Sequence, residues 1–295
     1  MADLETRNLR YFVAVAEELH FGRAAERLGI AQPPLSRAIK RLEARLGVEL
    51  LARSGGRVTL TEAGEVFLRE SRRALDAVAA AAHRAVRAGR GARRLVLTMK
   101  PGGDAGLLPA ILAAYEAMPG ALPVEIMAGA GDRSAPLRDG RADVGMLHSP
   151  YSDLEGLDAE SLLVERQVVL LPTGHRLAAR PWVRLSDLRG ETMPPWPSRP
   201  VGSIAGQNVI DVGQLMQLIA LGRTIAVVPE SVRDVMRQDG VVCRPVLDAP
   251  PTTVVLAWQQ DNCSTAVAAF VRAATEVAVR AAASPPAGVP ATADA

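Results

Sequence analysis

The spacing of apolar residues changes near residue 94, and this change limits the folds open to the chain. Before it, apolar residues recur every three or four positions, which is the period of amphipathic helices. After it, short apolar runs alternate with helical stretches, a pattern typical of a parallel α/β sheet with right-handed crossovers. The 295 residues suffice for about two domains. We therefore predict an α+β protein overall, with a mainly helical N-terminal part and an α/β remainder.

The first 61 residues predict three short helices followed by a two-stranded wing. Gln32 and Pro33 open the third helix, where a proline loses no helical hydrogen bond. The wing is predicted around a Ser-Gly-Gly turn, with Arg53 and Arg57 on either side of its tip. Two faces of the third helix follow from its 100° wheel: a buried face of Leu35, Ala38, Ile39, Leu42 and Leu46, and an opposite, narrow, polar and basic stripe of Pro33, Ser36, Arg37, Lys40 and Ala44.

A long alanine-rich helix is predicted from about residue 62 to residue 88. Its apolar stripe is narrow and recurs every three or four residues, as in a coiled-coil seam. We expect this helix to pack on a second copy of itself; the alternative is a packed helix within a single domain. The Gly-Arg-Gly-Ala sequence at 89–92 predicts a hinge. The stripe consists of Ala63, Val66, Phe67, Ala74, Val78, Ala81 and Ala85.

The α/β part predicts two groups of strands and helices: the first comprises 95–99, 107–118, 123–127, 136–139 and 143–147, and the second comprises 162–171, 185–188, 212–221 and 224–228. The last strand, at 253–258, and the last helix, at 265–280, are expected to return to the first sheet. After Ala281 the chain consists largely of Ala, Pro, Ser and Gly, which predicts a disordered tail at 282–295.

Charge and motifs exclude several classes of protein. Residues 1–94 hold 18 Lys and Arg against 11 Asp and Glu, whereas the rest of the chain is net acidic, so the N-terminal part is expected to bind an anion. No apolar run reaches the ~20 residues of a membrane span, and the N-terminus does not resemble a signal peptide. Two cysteines without metal-ligand spacing predict a reducing cytoplasm, no metal and no cofactor. The chain has no P-loop, GxSxG, HExxH or GxGxxG motif, so we do not expect an enzyme.

Several segments closely resemble LysR-type transcriptional regulators. The resemblance is specific over residues 7–90 and looser over 94–280. The specific segments are Leu9–Glu17, Phe21–Leu28, Gln32–Arg37, Leu42-Glu43, Leu46-Gly47 and Leu60–Gly64; the looser ones are Leu107–Pro109, Leu137–Gly145 and Ala220–Pro229.

The resemblance implies three parts and a set of partners. The expected partners are double-stranded promoter DNA and a small-molecule effector. Further copies of the chain are expected in a dimer, and often in a tetramer of two dimers. RNA polymerase is a further candidate partner, and no membrane is expected. One departure is a short Pro-rich segment between Gly190 and Asp211, which predicts a trimmed second lobe. The parts are a winged helix-turn-helix domain (1–61), a linker and dimerisation helix with a hinge (62–91), and an effector domain like periplasmic binding proteins (92–281), with its first lobe at about 92–161 and 253–281 and its second at about 162–252.

The third helix is the candidate DNA-reading element, because the major groove accepts an α-helix. Small residues allow close approach, and Arg37 and Lys40, one turn apart, can donate to guanine. Arg53 and Arg57 are expected to contact flanking phosphates or the minor groove; the alternative is a solvated hairpin. The resemblance supports Gln32, Pro33, Ser36 and Arg37 as groove contacts.

The candidate effector site lies beyond the carboxyl ends of the strands, where two-lobed α/β domains bind ligands. Lys100 and Gly103 precede a helix start that suits an anion, but Asp104 can cap that helix and occupy the same donors. The other candidates are Thr98, Gly129 with Gly131, His148, Ser203 and Asn208.

The expected function is a sequence-specific DNA-binding transcriptional regulator controlled by an effector bound between two lobes. One alternative is a redox-responsive regulator that uses Cys243 and Cys263, although only Arg244 offers a nearby positive charge. Others are a ligand-binding protein without sequence-specific DNA recognition and an architectural DNA binder.

Overall fold

The computed structural model describes most of the chain and divides it into two compact units. One unit comprises residues 1–86 with 138–140, and the other comprises 87–137 with 141–295. The described residues are 4–54, 57–89, 93–128, 132–193, 203–204, 207–208, 212–235, 237–260 and 262–283.

The first unit contains the predicted short helices and wing. The wing is an antiparallel pair in which Leu51 lies opposite Leu60 and Ser54 opposite Arg57. Gly29 and Gly47 have positive φ and end the second and third helices. The elements of this N-terminal stretch are α1 (Thr6–Glu18), α2 (Phe21–Leu28), α3 (Gln32–Leu46), β1 (Leu51–Ser54), β2 (Arg57–Leu60) and α4 (Glu62–Gly89).

The long helix α4 begins at a well-defined cap. The Thr61 hydroxyl accepts a hydrogen bond from the Gly64 N–H at 3.0 Å, which caps the helix. Gly64 is buried, and a Cβ atom there would lie 2.0 Å from the Leu50 carbonyl oxygen, so only glycine fits. Phe67 packs edge-on against the fully buried Phe12 of α1 at 5.0 Å between ring centroids. The first turns of α4 therefore belong to the core of the first unit.

The remaining elements form two sheets. Their bounds confirm most of the predicted strands and helices to within two residues, and α9 extends three residues beyond its predicted end. In chain order they are β3 (Leu95–Met99), α5 (Leu108–Glu116), β4 (Val124–Ala128), α6 (Ala135–Arg138), β5 (Val144–Ser149), β6 (Leu157–Glu165), β7 (Gln167–Pro172), a 3-10 helix (Leu185–Leu188), β8 (Ser203–Ile204), β9 (Gln207–Asn208), α7 (Val212–Ala220), β10 (Ala226–Pro229), α8 (Val232–Val235), β11 (Val241–Pro245), β12 (Thr252–Gln259) and α9 (Thr265–Ala283).

The first sheet has the strand order β4-β3-β5-β12-β6 and is mixed rather than parallel. The strands β3, β4 and β5 are parallel, but β12 runs antiparallel to both β5 and β6. The prediction of a parallel sheet is therefore wrong for its last strands. The chain passes from β6 in the first sheet to β7 in the second, and β11 and β12 return beside them in the opposite direction, since β11 is antiparallel to β7. The return of β12 and α9 to the first sheet is confirmed, and Tyr115 and Phe270 pack in its core.

The second sheet is antiparallel with the order β10-β7-β11. The apolar run Leu162–Leu171, taken as one segment in the sequence, is divided between sheets: β6 lies in the first and β7 in the second, with Arg166 alone between them. Residues 90–92 of the predicted hinge, most of the Pro-rich segment and the chain after residue 283 lie outside the described residues.

Two further features concern the described part of the chain only. None of its helices is long and apolar enough to cross a membrane. It also contains no group of three or more His, Cys, Asp and Glu side chains that could hold a metal ion.

Candidate nucleic-acid interface and ligand site

The helix α3 presents the predicted stripe to solvent. Its apolar side chains anchor it firmly, since Leu35 and Ile39 are fully buried in the core. On the predicted buried face, Leu46 is only half-buried. Within the predicted stripe, Pro33, Arg37, Lys40 and Ala44 are exposed and Ser36 is half-buried, and Gln32 at the start of the helix is exposed as well. The structure thus brings the predicted groove residues of α3 together on one face, with basic groups one turn apart.

A network of charged side chains at the surface, which the sequence reasoning missed, links the helices around α3. The Glu17 carboxylate on α1 pairs with Arg27 on α2 at 2.7 Å and with Arg72 on α4 at 2.6 Å. Burial by itself would raise the pKa of Glu17, but hydrogen bonds from Arg72 and Arg27 outweigh it and lower that pKa. No spacing signal in the sequence links residues 17, 27 and 72.

The wing residues lie on neighbouring strands. Arg53 lies in β1 opposite Val58, and Arg57 opens β2 with an exposed side chain. The turn at 55–56 between them lies outside the described residues.

The second candidate site lies at one edge of the first sheet. The strands β3, β5 and β6 all run toward this edge, because β12 is antiparallel to both β5 and β6. Lys100 follows β3, His148 lies near the end of β5, and Glu165 ends β6. Side chains from three strands therefore meet where such folds bind ligands.

Lys100, Gly103 and His148 lie together, as the sequence predicts. A Cβ atom on the buried Gly103 would lie 2.6 Å from Lys100 Cγ and 3.0 Å from His148 Cε1. The lysine stem therefore packs on the backbone of Gly103, beside the histidine ring. Any larger residue at position 103 would displace one of them.

Burial determines the protonation states of Lys100 and His148. Desolvation lowers the pKa of Lys100 to about 8, although the nearby charge of Glu165 opposes the shift. Desolvation, with a smaller contribution from the Lys100 charge, lowers the pKa of His148 to about 3. At neutral pH the site therefore holds a charged but poorly solvated ammonium group and a neutral imidazole.

The sequence reasoning missed two residues at this edge, Glu165 and Ser231. Glu165 is only 6% exposed, and its Oε1 atom accepts a hydrogen bond from the Ser231 N–H at 3.0 Å. Among the described residues, Glu165 Oε2 and Ser231 Oγ are buried without a hydrogen-bond partner. A charged residue inside an otherwise apolar run was the signal available in the sequence.

The remaining residues predicted for the effector site are not shown in contact with Lys100, Gly103 and His148. Thr98 is fully buried two residues before Lys100, on the same face of β3, and its Oγ1 atom has no partner within the described chain. The Asp104 carboxylate accepts from the Leu108 N–H at 3.4 Å, so the capping alternative is formed, though weakly. Ser203 and Asn208 face each other across β8 and β9, whereas Gly129 and Gly131 lie outside the described residues.

The two cysteines form no disulfide. Cys243 is half-buried in β11 and Cys263 is exposed after β12. Nothing in their placement favours the redox alternative.

Two family models match the chain, one on each side of residue 86. Residues 6–65 match the bacterial regulatory helix-turn-helix protein of the lysR family. Residues 88–279 match the LysR substrate binding domain. Together they span the candidate nucleic-acid interface and the candidate ligand site.

Similar proteins match over nearly the whole chain. It is 32% identical over 286 residues to the HTH-type transcriptional regulator AlsR of Bacillus subtilis (strain 168), covering 91% of this chain and 94% of AlsR. It is 30% identical over 286 residues to the Hca operon transcriptional activator HcaR of Escherichia coli (strain K12), covering 91% and 96%. Among solved structures, full-length BenM matches with a TM-score of 0.52 and 28% identity, covering 97% of this chain and all of BenM.

Proposed function

The chain belongs to the LysR family of bacterial helix-turn-helix regulators, and from this premise we propose that α3 reads operator DNA while a ligand at the edge of the first sheet controls the outcome. Membership makes it a DNA-binding transcriptional regulator with an effector-binding domain. The relatives AlsR and HcaR are named as regulators, not enzymes. The proposal places the protein in the cytoplasm, with the promoter DNA.

The exposed basic stripe of α3 carries the DNA-reading part of the proposal. Gln32, Pro33, Ser36 and Arg37 contact base edges in the major groove, and Lys40 donates to guanine or phosphate. Arg53 and Arg57 on the wing contact the backbone and orient the domain. The fully buried face of α3 supports this assignment, because it fixes which side chains point outward.

We base a dimer through α4 on the exposed part of its predicted seam, because Ala63 and Phe67 of that seam instead pack in the core of the first unit. Val66 and Val78 are each 47% exposed in the single chain, although they are large apolar side chains. A second copy of α4 covers them, and the dimer then binds two half-sites a whole number of helical turns, about 34–36 Å each, apart.

The effector site comprises the cluster at the sheet edge. Lys100, Gly103 and His148 form its centre, with Thr98 and Asp104 beside them. Ligand binding shifts an equilibrium between arrangements of the two sheets or of the assembled chains, which changes how the operator is held. We also assign Gly129, Ser203 and Asn208 to this site.

Two substitutions test whether α3 contacts the DNA bases while the wing contacts the DNA backbone. Arg37→Ala is expected to cost about 1–3 kcal/mol of operator binding and to relax base preference at one position. Arg57→Ala is expected to weaken all sequences alike and to reduce the salt dependence of binding. Binding-site selection and salt titrations measure both, and Arg280→Ala on the exposed end of α9 is the control. Equal loss of specificity in the Arg37 and Arg57 variants would contradict this division.

A further inference from the structure

One carboxylate binds the chain on both sides of the predicted hinge. Asp143 directly precedes β5, and its side chain accepts two hydrogen bonds from the Arg87 guanidinium group, each 2.9 Å long. The same carboxylate accepts from the Val96 N–H at 2.8 Å. Arg87 lies in the last turn of α4 and Val96 lies in β3, so a single side chain brackets the stretch 88–95, which includes the Gly-Arg-Gly-Ala sequence.

Asp143 is held against β3 independently of Arg87. Its backbone N–H donates to the Val96 carbonyl oxygen at 2.8 Å, directly before the parallel pairing of β3 with β5 begins at Leu97 and Val144. Both the backbone and the side chain of Asp143 are therefore fixed to Val96. Arg87 adds the end of α4 to an anchor that the first sheet already provides.

Arg87 lies on a distinct face of α4. Between residues 81 and 89, only His83 and Arg87 are half-buried, and the other residues are exposed. The fully buried Ala80 precedes them, and the spacings of three and four residues place all three on one side of the helix. On a 100° wheel this side lies opposite the predicted seam, so a second copy of α4 does not compete for it.

Two contacts within the first unit involve the same face. His83 Nδ1 lies 2.8 Å from the Asp139 carbonyl oxygen, and a Cβ atom on Gly140 would lie 2.8 Å from Ala80 Cα. Asp139, Gly140 and Asp143 all belong to Leu137–Gly145, one of the segments that the sequence analysis singled out. The proposed function gives this segment no role.

We propose that Arg87 and Asp143 are positioning residues that lock the last turn of α4 to β3 and so fix the path of the chain between them. Two hydrogen bonds between a guanidinium and a carboxylate group restrict orientation as well as distance. The side chains are 29% and 20% exposed, so water weakens this pair less than a fully exposed one. The lock lies at the amino ends of β3 and β5, and the candidate ligand site lies at their carboxyl ends.

Trypsin digestion of the full-length protein tests the lock. Residues 90, 93 and 94 are arginines, so cleavage after them reports how often the bracketed stretch leaves its folded path. Arg87→Met leaves the Asp143–Val96 hydrogen bonds in place, and is expected to speed this cleavage about threefold to tenfold relative to cleavage after the exposed Arg280. Arg87→Lys keeps the charge but not the paired geometry, and its ratio is expected to lie between the two. An unchanged ratio in Arg87→Met overturns the proposal.

A double-variant cycle separates the pair from general destabilisation. Asp143→Asn is expected to speed the cleavage at least as much as Arg87→Met, and combining the two is expected to add little, because both remove one contact. Arg180→Met is the control, since it breaks a 3.0 Å pair with Asp187 elsewhere in the second unit, and it is expected to leave the ratio unchanged. Independent effects in the double variant, or equal acceleration by Arg180→Met, would show that no lock exists.

Operator selection with varied spacing between half-sites tests the consequence for DNA binding. Wild type is expected to prefer one spacing, and Arg87→Met to accept a wider range with the same base preference within each half-site, because α3 is unaltered. An unchanged range of spacings would contradict the positioning role. The digestion uses neither DNA nor ligand, so absence of operator binding would contradict the proposed function and leave the cleavage result standing.

Discussion

At the scale of single residues, burial decides which groups are charged at the ligand site. His148 is 4% exposed and lies beside Lys100, so the protein holds its imidazole in the neutral form. In the unfolded chain the same imidazole takes up a proton near its ordinary pKa of about 6.5. This difference links folding stability to pH.

The direction of the link follows from the lowered pKa of His148, about 3 in the folded protein. Between the two pKa values the unfolded state binds more protons, so stability falls as pH drops from about 6.5 toward 3. The contribution is at most about 1.4 kcal/mol per pH unit. Urea unfolding of wild type and His148→Gln at pH 7 and pH 5 measures it, and the variant is expected to lose less stability on acidification. An equal loss in both proteins would contradict this assignment.

The sequence predicts the exposed stripe of α3 better than the cluster of side chains at the edge of the first sheet. Arg37 and Lys40 lie on one helix, where a 100° wheel fixes their side. Glu165 reaches the same sheet edge as Lys100 only after strands far apart in sequence pair across β12, and Ser231 then hydrogen-bonds to Glu165; no local period encodes this arrangement. The cluster of Lys100, Gly103 and His148 could be predicted from the sequence, because the ends of parallel strands converge at one edge of an α/β sheet.

At the scale of elements, α4 contains two glycines in contrasting surroundings: one position has no room for a side chain and the other has ample room. Gly64 lies against the Leu50 backbone, whereas a Cβ atom on Gly89 would meet nothing within 4 Å. One helix therefore supplies both a test position and its control.

Gly64→Ala is expected to destabilise the first unit by about 1–3 kcal/mol, because the added methyl group overlaps a backbone carbonyl that cannot rotate away. Gly89→Ala is expected to be neutral or to stabilise α4 slightly, since alanine favours helix by about 1 kcal/mol over glycine. Thermal unfolding of the full-length protein compares the two variants. Similar effects of the two substitutions would show that helix propensity, not contact with Leu50, governs both positions.

The direction of β12 is the main feature of the fold that the sequence did not predict. Its apolar run is compatible with a parallel or an antiparallel neighbour, and its direction is set by β11 and β12 returning antiparallel to β7 and β6. The division of Leu162–Leu171 between two sheets was hidden for a related reason, since both halves are equally apolar.

At the scale of the whole molecule, the exposed apolar side chains of α4 imply assembly. Val78 lies in the predicted seam and Val86 outside it, and they are 47% and 52% exposed in the single chain. Exposure in the single chain therefore does not distinguish Val78 from Val86. A second copy of α4 packed on the seam is expected to cover Val78 and to leave Val86 exposed.

Val78→Asp is expected to shift sedimentation toward smaller species and to weaken operator binding, because a buried unpaired charge at the seam is costly. Val86→Asp is the matched control and is expected to leave the assembly unchanged. Analytical ultracentrifugation across a concentration series measures both. Dissociation by Val86→Asp alone would place the contact on another face of α4.

The single residue between β6 and β7 has a mechanical consequence. Arg166 alone joins the two sheets there, and the return path from β11 to β12 is six residues long. A tether this short permits rotation of one sheet about the other but leaves no slack for them to separate. Relative motion of the two sheets is therefore expected to be a twist about an axis passing near Arg166, with displacement growing toward the far end of the second sheet.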